Sequence, residues 1–395
     1  MMYLRQTWAI FVDAYLELNA KRLFWVTFGI SALMVAAFAG IGINEKGITI
    51  LWWELPIKLM AELYQYGIIN KPLFYKFIFL QIGFQVWLTW AATILALIST
   101  AGIIPDFVTG GSIELSLSRP IGRLRLFLTK YATGLLFVAL QVGVFTGLAF
   151  LVIGIRGGEW VWTLFWGVPL VLAFFSFIYC VMVLVGLLTR STMASLVTAC
   201  VFWLALACLH AVEGGIYLQL KTQEAIRVDL QRARLAEVQA DMAKVDEEIK
   251  ATPPAEPDAA HPKQARLENL TRTRATWETT LAKSEASLKT YTQVHAILYA
   301  AKTVLPKTSE TMELLSRWLI TGDEVERFIA HGEQAGGMVE FNEDDGGVRV
   351  SGRRVRIEMA EALRGRSVGW VLGTSLAFEA VILGAACWVF CRRDF

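Results

Sequence analysis

The sequence predicts an all-α polytopic membrane protein of six transmembrane helices, with a large polar insert ahead of the last one. Five apolar stretches long enough to cross a bilayer fall within residues 1–212, a sixth closes the 395-residue chain, and residues 213–366 between them are polar. The composition agrees, because 55% hydrophobic residues, a mean hydropathy of +0.49 and 14 tryptophans are too apolar and aromatic for an ordinary soluble domain. The net charge of +2 excludes little, since the charges are segregated rather than sparse. All five cysteines, Cys180, Cys200, Cys208, Cys387 and Cys391, lie in or at the end of predicted spans, so the insert has none with which to build a disulfide framework.

Taking the elements in order, residues 1–22 read as an amphipathic helix. Leu4, Trp8, Phe11, Val12, Tyr15 and Leu18 recur at spacings of three and four, with Arg5, Gln6, Asp13 and Glu17 on the other side. Such a helix either lies in the membrane interface or packs on other protein. With Arg5, Asp13 and Glu17 breaking any continuous apolar core, Met1–Lys21 does not read as a cleavable signal peptide. The expected spans are Leu23–Ile43, Phe77–Ile104, Tyr131–Ile155, Trp160–Leu188, Met193–Val212 and Ser367–Cys391, each near or above the ~20 residues that cross ~30 Å of hydrocarbon. Between the first two, Asn44–Lys76 carries Leu51-Trp52-Trp53 and Tyr64–Tyr66, which reads as an interfacial, surface-lying helix, with a re-entrant dip as the alternative.

The insert opens after Glu213-Gly214-Gly215 with two heptad-patterned helices around a turn containing Pro253, Pro254, Pro257 and Pro262. Val228, Gln231, Leu235, Val238, Met242, Val245 and Ile249 form one seam; Leu267, Leu270, Arg274, Trp277, Leu281, Ser284, Leu288, Tyr291, His295 and Leu298 form the other. An antiparallel coiled-coil hairpin ~50 Å long follows, marginal because Gln231, Arg274, Ser284 and His295 occupy the seam. A solvated charged linker is the alternative. Beyond it, Pro306–Thr321 reads as a short helix stopped by Gly322. Met338–Phe341 and Val348–Ile357 alternate around Asp344-Asp345-Gly346-Gly347 as a small β-hairpin, and with that helix they form a collar on the membrane surface. The expected domains are therefore residues 1–22, 23–212 with a loop at 105–130, 213–305, 306–366 and 367–395.

Catalytic machinery is not found: GxxxxGK[ST], HExxH, CxxC and GxSxG do not occur. His210, His261, His295 and His331 are scattered, which argues against a metal cluster. The chain does not read as an enzyme, and any ATP-driven work must be powered by another subunit. The most specific segment is the loop running from Ile104 to Tyr131. It offers a short helix led by Ser112 and carrying Glu114, an Arg119-Pro120 break, and a basic run feeding the third span. An ordinary positively charged loop is the plain alternative.

In that loop the chain resembles the ABC-2 type permeases, the membrane subunits of ATP-binding-cassette exporters. The matching positions are Gly111, Ser112, Glu114, Leu117, Ser118, Pro120, Ile121, Arg123, Leu126, Lys130 and Tyr131. Gly186-Leu187-Leu188-Thr189-Arg190-Ser191 and the ending Phe390-Cys391-Arg392-Arg393-Asp394-Phe395 are also similar. The resemblance implies that Gly111, Ser112, Ile113, Glu114, Leu117, Ser118, Arg119, Pro120, Ile121 and Arg123 form a cytoplasmic coupling helix docked on a separate ATP-binding subunit. It implies two permease and two ATPase subunits, the second permease being an identical copy or a paralogue. ATP and Mg would belong to the partner, and no cofactor to this chain.

Short-loop charges favour a cytoplasmic N-terminus by ten to five, but five arginines near the last span, Arg353, Arg354, Arg356, Arg364 and Arg366, raise the second count to ten. Charge alone leaves the orientation open. The resemblance resolves it, implying cytoplasmic termini in a bacterial inner membrane with residues 213–366 outside. The long insert departs from the family, many of whose members have a shorter external loop there, and the first functional hypothesis is that its hairpin recruits substrate or a periplasmic protein. Nucleic acid is not among the expected partners.

Within the bilayer, Glu379 sits near the middle of the last span, where a carboxylate is costly. It reads either as part of a substrate path with Gln141 and Gln85, or as a hydrogen-bonded bridge for which Gln81, Gln85 and Gln141 are the natural partners. Gly143-x-x-x-Gly147 and Gly369-x-x-x-Gly373 would allow close helix approach. Two other functions compete: a membrane-anchored scaffold or mechanotransmission protein acting through the hairpin, and an ion-coupled secondary transporter centred on Glu379. The second lacks an inverted repeat.

Overall fold

The computed structural model describes residues 22–67, 69–109, 122–220, 225–251, 257–320, 324 and 367–393. The expected N-terminal helix, the loop at 110–121 and the β-hairpin at 338–357 lie outside them. The described chain is mostly helical. It divides into two compact units, one formed by residues 22–209, 302–324 and 367–393, the other by residues 210–301.

In the first unit, α1 spans Arg22–Gly40 and leads into three antiparallel strands, β1 Ile41–Asn44, β2 Gly47–Ile50 and β3 Trp53–Leu55. Helix α2 follows at Lys58–Gln65, then α3 Lys71–Thr109, α4 Arg123–Gly157, α5 Trp162–Thr189 and α6 Thr192–Gln219, whose residues from His210 onward belong to the second unit. Helices α9, Thr308–Leu319, and α10, Val368–Arg392, complete the unit. Among the described residues five helices, α3 to α6 and α10, are long and apolar enough to cross a membrane, while the apolar part of α1, Trp25–Gly40, is shorter.

The first expected span thus differs from the helix found. The predicted Leu23–Ile43 gives up Ile41–Ile43 to β1, because Ile41, Ile43, Ile48, Thr49 and Ile50 are β-branched and the register Ile41↔Ile50 to Asn44↔Gly47 pairs them across a tight turn. Gly47 there adopts φ +129°, a conformation closed to a side chain. The surface helix expected over Asn44–Lys76 is accordingly corrected: only α2 and the first turns of α3 are helical in that interval. Asn70 starts α3 by accepting from the Leu73 backbone N–H at 2.9 Å. Lys76, buried in that first part, is held by Glu159 at 3.5 Å and Glu324 at 3.3 Å, which explains how α3 can begin six residues before the expected span. Phe79–Ala92 is wound more widely, and the hydroxyls of Thr89 and Thr93 donate to carbonyls five residues back.

Helix α5 is the centre of the unit and packs against α4, α9 and α10. Phe174, Phe175, Phe177, Ile178, Tyr179 and Cys180 on it are all buried. A Cβ at Gly134 of α4 would overlap the Tyr179 phenol, so the missing side chain is what admits that ring. Tyr179 stacks on Tyr131 at 5.0 Å and on Phe175 at 5.3 Å. The most apolar stretches of α3 and α5 are 72% buried, whereas those of α6 and α10 are only 22% and 17% buried. Apolar helices that expose so much of themselves suit lipid or another helix rather than water. Among the described residues, nothing lies within 4 Å of a Cβ added at Gly143, Gly147, Gly369 or Gly373, so neither glycine pair makes a close helix contact there.

The helix expected at Pro306–Thr321 is found at Thr308–Leu319, but it is wedged into the bundle rather than laid over it. Met312, Leu314, Leu315 and Leu319 are buried, Leu315 reaches the space above Gly167, and Trp318 meets Trp166. At its entrance Lys302 pairs with Glu310, and the Lys307 ammonium donates to the carbonyls of Thr303 and Leu305 over the Trp370 ring.

The second unit contains α7, Ala225–Lys250, and most of α8, Pro257–Val304. Arg232 meets Glu285 at 2.8 Å, and the Lys263 ammonium reaches the Glu248 carbonyl at 3.4 Å. Val228, Gln231, Val245 and Ser284 on the two seams are buried, whereas Arg274 is exposed and pairs with Glu278. His295 Nε2 lies 3.1 Å from the buried Glu213 Oε1, with its ring stacked on Tyr217.

The fit at Gly134 generates a prediction. Gly134→Ala lowers stability by about 1–3 kcal/mol, the cost of overpacking a filled core, and adding Tyr179→Leu recovers part of it. Thermal unfolding of the purified protein in detergent measures both.

Candidate functional site

Three sequence features far apart in the chain converge at one end of the transmembrane unit. They are the exit of the 105–130 loop, the Gly186–Ser191 connection and the chain ending. Arg123 opens α4 there, because the backbone of Gly122 is extended and the Leu126 N–H closes the first turn onto the Gly122 carbonyl. Its guanidinium donates to the carbonyls of Cys391 at 3.3 Å and Arg393 at 3.1 Å. Arg393 in turn donates to the Leu187 carbonyl at 2.6 Å. Helix C-termini leave their last carbonyls without intrahelical partners, so two cations satisfy groups that would otherwise be open and also oppose the negative ends of the helix dipoles.

Around this tie the helices pack closely. Arg190 ends α5 in the left-handed region at φ 54°, and the Ser191 hydroxyl accepts from the Ala194 N–H to start α6. Gly186 lets Pro105, near the end of α3, approach, since a Cβ there would stand 3.1 Å from the proline ring. The Thr192 hydroxyl donates to Asp106 at 3.3 Å, Lys130 lies over Phe107 at 5.4 Å, and Phe127 meets Phe390 at 5.3 Å. These groups tie the ends of α3, α4, α5, α6 and α10 to one another. Of the residues expected in the coupling helix, Arg123 is placed by the structure, whereas Gly111, Ser112, Ile113, Glu114, Leu117, Ser118, Arg119, Pro120 and Ile121 lie outside the described residues.

Deeper in the bundle, Glu379 of α10 is held by two hydroxyls. Tyr131 donates to Oε1 at 2.8 Å and Ser176 to Oε2 at 2.9 Å. The expected glutamine partners are therefore corrected, because both carboxylate oxygens are taken by α4 and α5. Gln141 lies ten residues beyond Tyr131 on α4, ~15 Å further along the axis. It is buried among Leu88, Ala92, Val138, Val171 and Phe175, and its amide nitrogen has no hydrogen-bond partner among the described residues. Gln85 is half-buried on α3, and Gln81 is exposed. Sequence reasoning named Tyr131 as the start of the third span and as a match to the family's loop, but not as a partner of Glu379, and passed over Ser176; the available signal was a serine hydroxyl midway along a strongly apolar helix. Arg393 was noted in the ending, but not as a partner of Leu187.

Removing the carboxylate should cost more than altering it. Glu379→Ala leaves two hydroxyls without their acceptors and lowers stability by about 1–3 kcal/mol, while Glu379→Gln keeps one acceptor oxygen and costs less. Thermal midpoints in detergent separate the two, and equal losses would show that the hydroxyls do not depend on this side chain.

Comparison with known proteins agrees with this geometry at the level of family. Neither a curated protein nor a solved structure matches the chain. A family model described as ABC-2 family transporter protein matches residues 18–314, from the start of the transmembrane unit through the insert and into α9. The chain belongs to the ABC-2 family of transporter proteins.

Proposed function

We propose that this chain couples ATP hydrolysis on a separate ATP-binding subunit to export or extraction of a substrate across a bacterial inner membrane. Permeases of this family work with such a subunit and are generally non-catalytic. The observation that carries the reading is the Arg123 tie: the residue that ends the coupling loop is bonded to the carbonyls of the last helix, whose Arg393 is bonded to the end of α5. A push on the loop would then reach α4, α5 and α10 together through short, charge-assisted bonds.

In this reading the ATPase docks on Gly111–Arg123, ATP and Mg belong to it, and a second permease copy or paralogue completes the transporter. Six helices cross the membrane, with α1 as the first, and both termini are cytoplasmic. Residues 213–366 are outside. Helices α7 and α8 form an antiparallel coiled-coil hairpin, a pairing supported by Arg232–Glu285 and the buried seam residues, and this hairpin recruits substrate or a periplasmic protein. Gln141, whose amide nitrogen is unpaired among the described residues, and Gln85 are the polar candidates along the substrate path. The two bonds on Glu379 favour a positioning role for it.

Two experiments test the reading. Arg123→Ala and Glu114→Lys are expected to reduce ATPase stimulation roughly fivefold or more, the low end of typical coupling free energies; the thermal midpoint holds in Glu114→Lys and falls in Arg123→Ala without unfolding the bundle, and unchanged stimulation in both would overturn the reading. A cysteine placed at Ala255 in a background without the five native cysteines is expected to react with an impermeant maleimide from outside intact cells. Labelling only after lysis would place the insert in the cytoplasm instead.

A further inference from the structure

We propose that the turn Leu51-Trp52-Trp53 of the small sheet is a membrane anchor, seated in the phospholipid headgroup layer beside the bundle. Strand register sets its level. Helix α1 ends at Gly40, β1 leaves it, and β2 returns, so that Leu51 donates its N–H to the Gly40 carbonyl at 2.7 Å. The turn therefore comes back to the height at which the apolar helix stops. The opposite turn, Glu45-Lys46, stands about four residues further along the strands, ~13 Å away. It is polar, with Lys46 paired to Glu54 at 3.0 Å and the Asn44 amide also reaching Glu54.

That height coincides with the end of the spanning helices. The Tyr75 hydroxyl, early in α3, donates to the Ile41 carbonyl at 2.8 Å, and the Tyr75 ring lies against Gly157 at the close of α4. Trp160, Trp162 and Trp166 follow directly after α4, and each is more than half exposed. Trp52 and Trp53 are 90% and 81% exposed, in a turn that holds Leu51 at φ +55°. Five open indoles thus lie at the end of the bundle where α4 closes and α5 opens. An indole has an apolar body and one N–H, which suits the boundary between acyl chains and water better than either phase. Continuity with the spans makes lipid the occupant here, rather than a second protein.

The inference rests on the chain crossing a membrane and not on coupling to an ATPase, and its test reads no ATPase activity. The cysteine-free protein is placed in nanodiscs of phosphatidylcholine with a minority of phosphatidylglycerol, where both faces are open to solutes. Trp52→Cys carries an environment-sensitive fluorophore, and Glu45→Cys carries the same label on the opposite turn. The label at 52 is expected to be quenched by a phosphatidylcholine bearing a headgroup nitroxide and to resist iodide several-fold better than the label at 45. Unlabelled protein gives a second measure: the emission lost on Trp52→Phe is expected to be quenched by the same lipid. Equal iodide quenching at the two positions would overturn the proposal by showing a turn in water. Protection from iodide without lipid quenching would overturn it as well, by showing a protein surface over the turn.

Discussion

The phenol of Tyr179 occupies the space that Gly134 leaves on the neighbouring helix, and much of the transmembrane unit is arranged around that fit. With lipid outside and apolar side chains inside, helices in a bilayer gain little from hydrophobic burial against one another, so close packing must supply the association. Here the close approach of α4 and α5 stacks Tyr131 on Tyr179 and leaves the Tyr131 and Ser176 hydroxyls to donate to Glu379 where α10 arrives. The polar node in the bundle is thus a consequence of a steric one.

Helix α10 shows how little burial is needed when bonds are placed well. Most of its apolar surface is open, yet it is gripped at three levels: Ser375 by the Lys307 backbone, Glu379 by two hydroxyls, and its last carbonyls by Arg123. The last two levels are ~20 Å apart along the axis. In a medium without water each of these polar groups is costly to separate from its partner, so α10 is constrained in height and rotation while one face stays available to the surroundings.

The spans were legible because twenty apolar residues have few alternatives, and α3 to α6 and α10 appear where hydropathy places them. Their edges were not. Lys71–Lys76 looks like loop until Glu159 and Glu324 neutralise Lys76, and Ile41–Asn44 looks like helix until Gly47–Ile50 pairs with it. Hydropathy counts apolar atoms and cannot say whether a β-branched run will find a strand partner. The short helix after Pro306 was legible as a helix for the same local reasons that stop it near Gly322. Its burial beside Gly167 was not, because that depends on a cavity built from other segments.

What the amino-acid order determined by itself is therefore periodic or compositional: the rough position of the five long apolar helices, the helical character of α7 and α8, and the loop pattern that points to the family. The tertiary structure alone decided the partners of Glu379, the joining of Arg123 to Cys391 and Arg393, and the return of Trp52 to the height of Gly40. Periodicity is a property of neighbours within one turn of helix or one strand. Those three contacts join residues that only the packing of separate elements brings together, and a local pattern carries no information about which distant side chain will fill the space beside it.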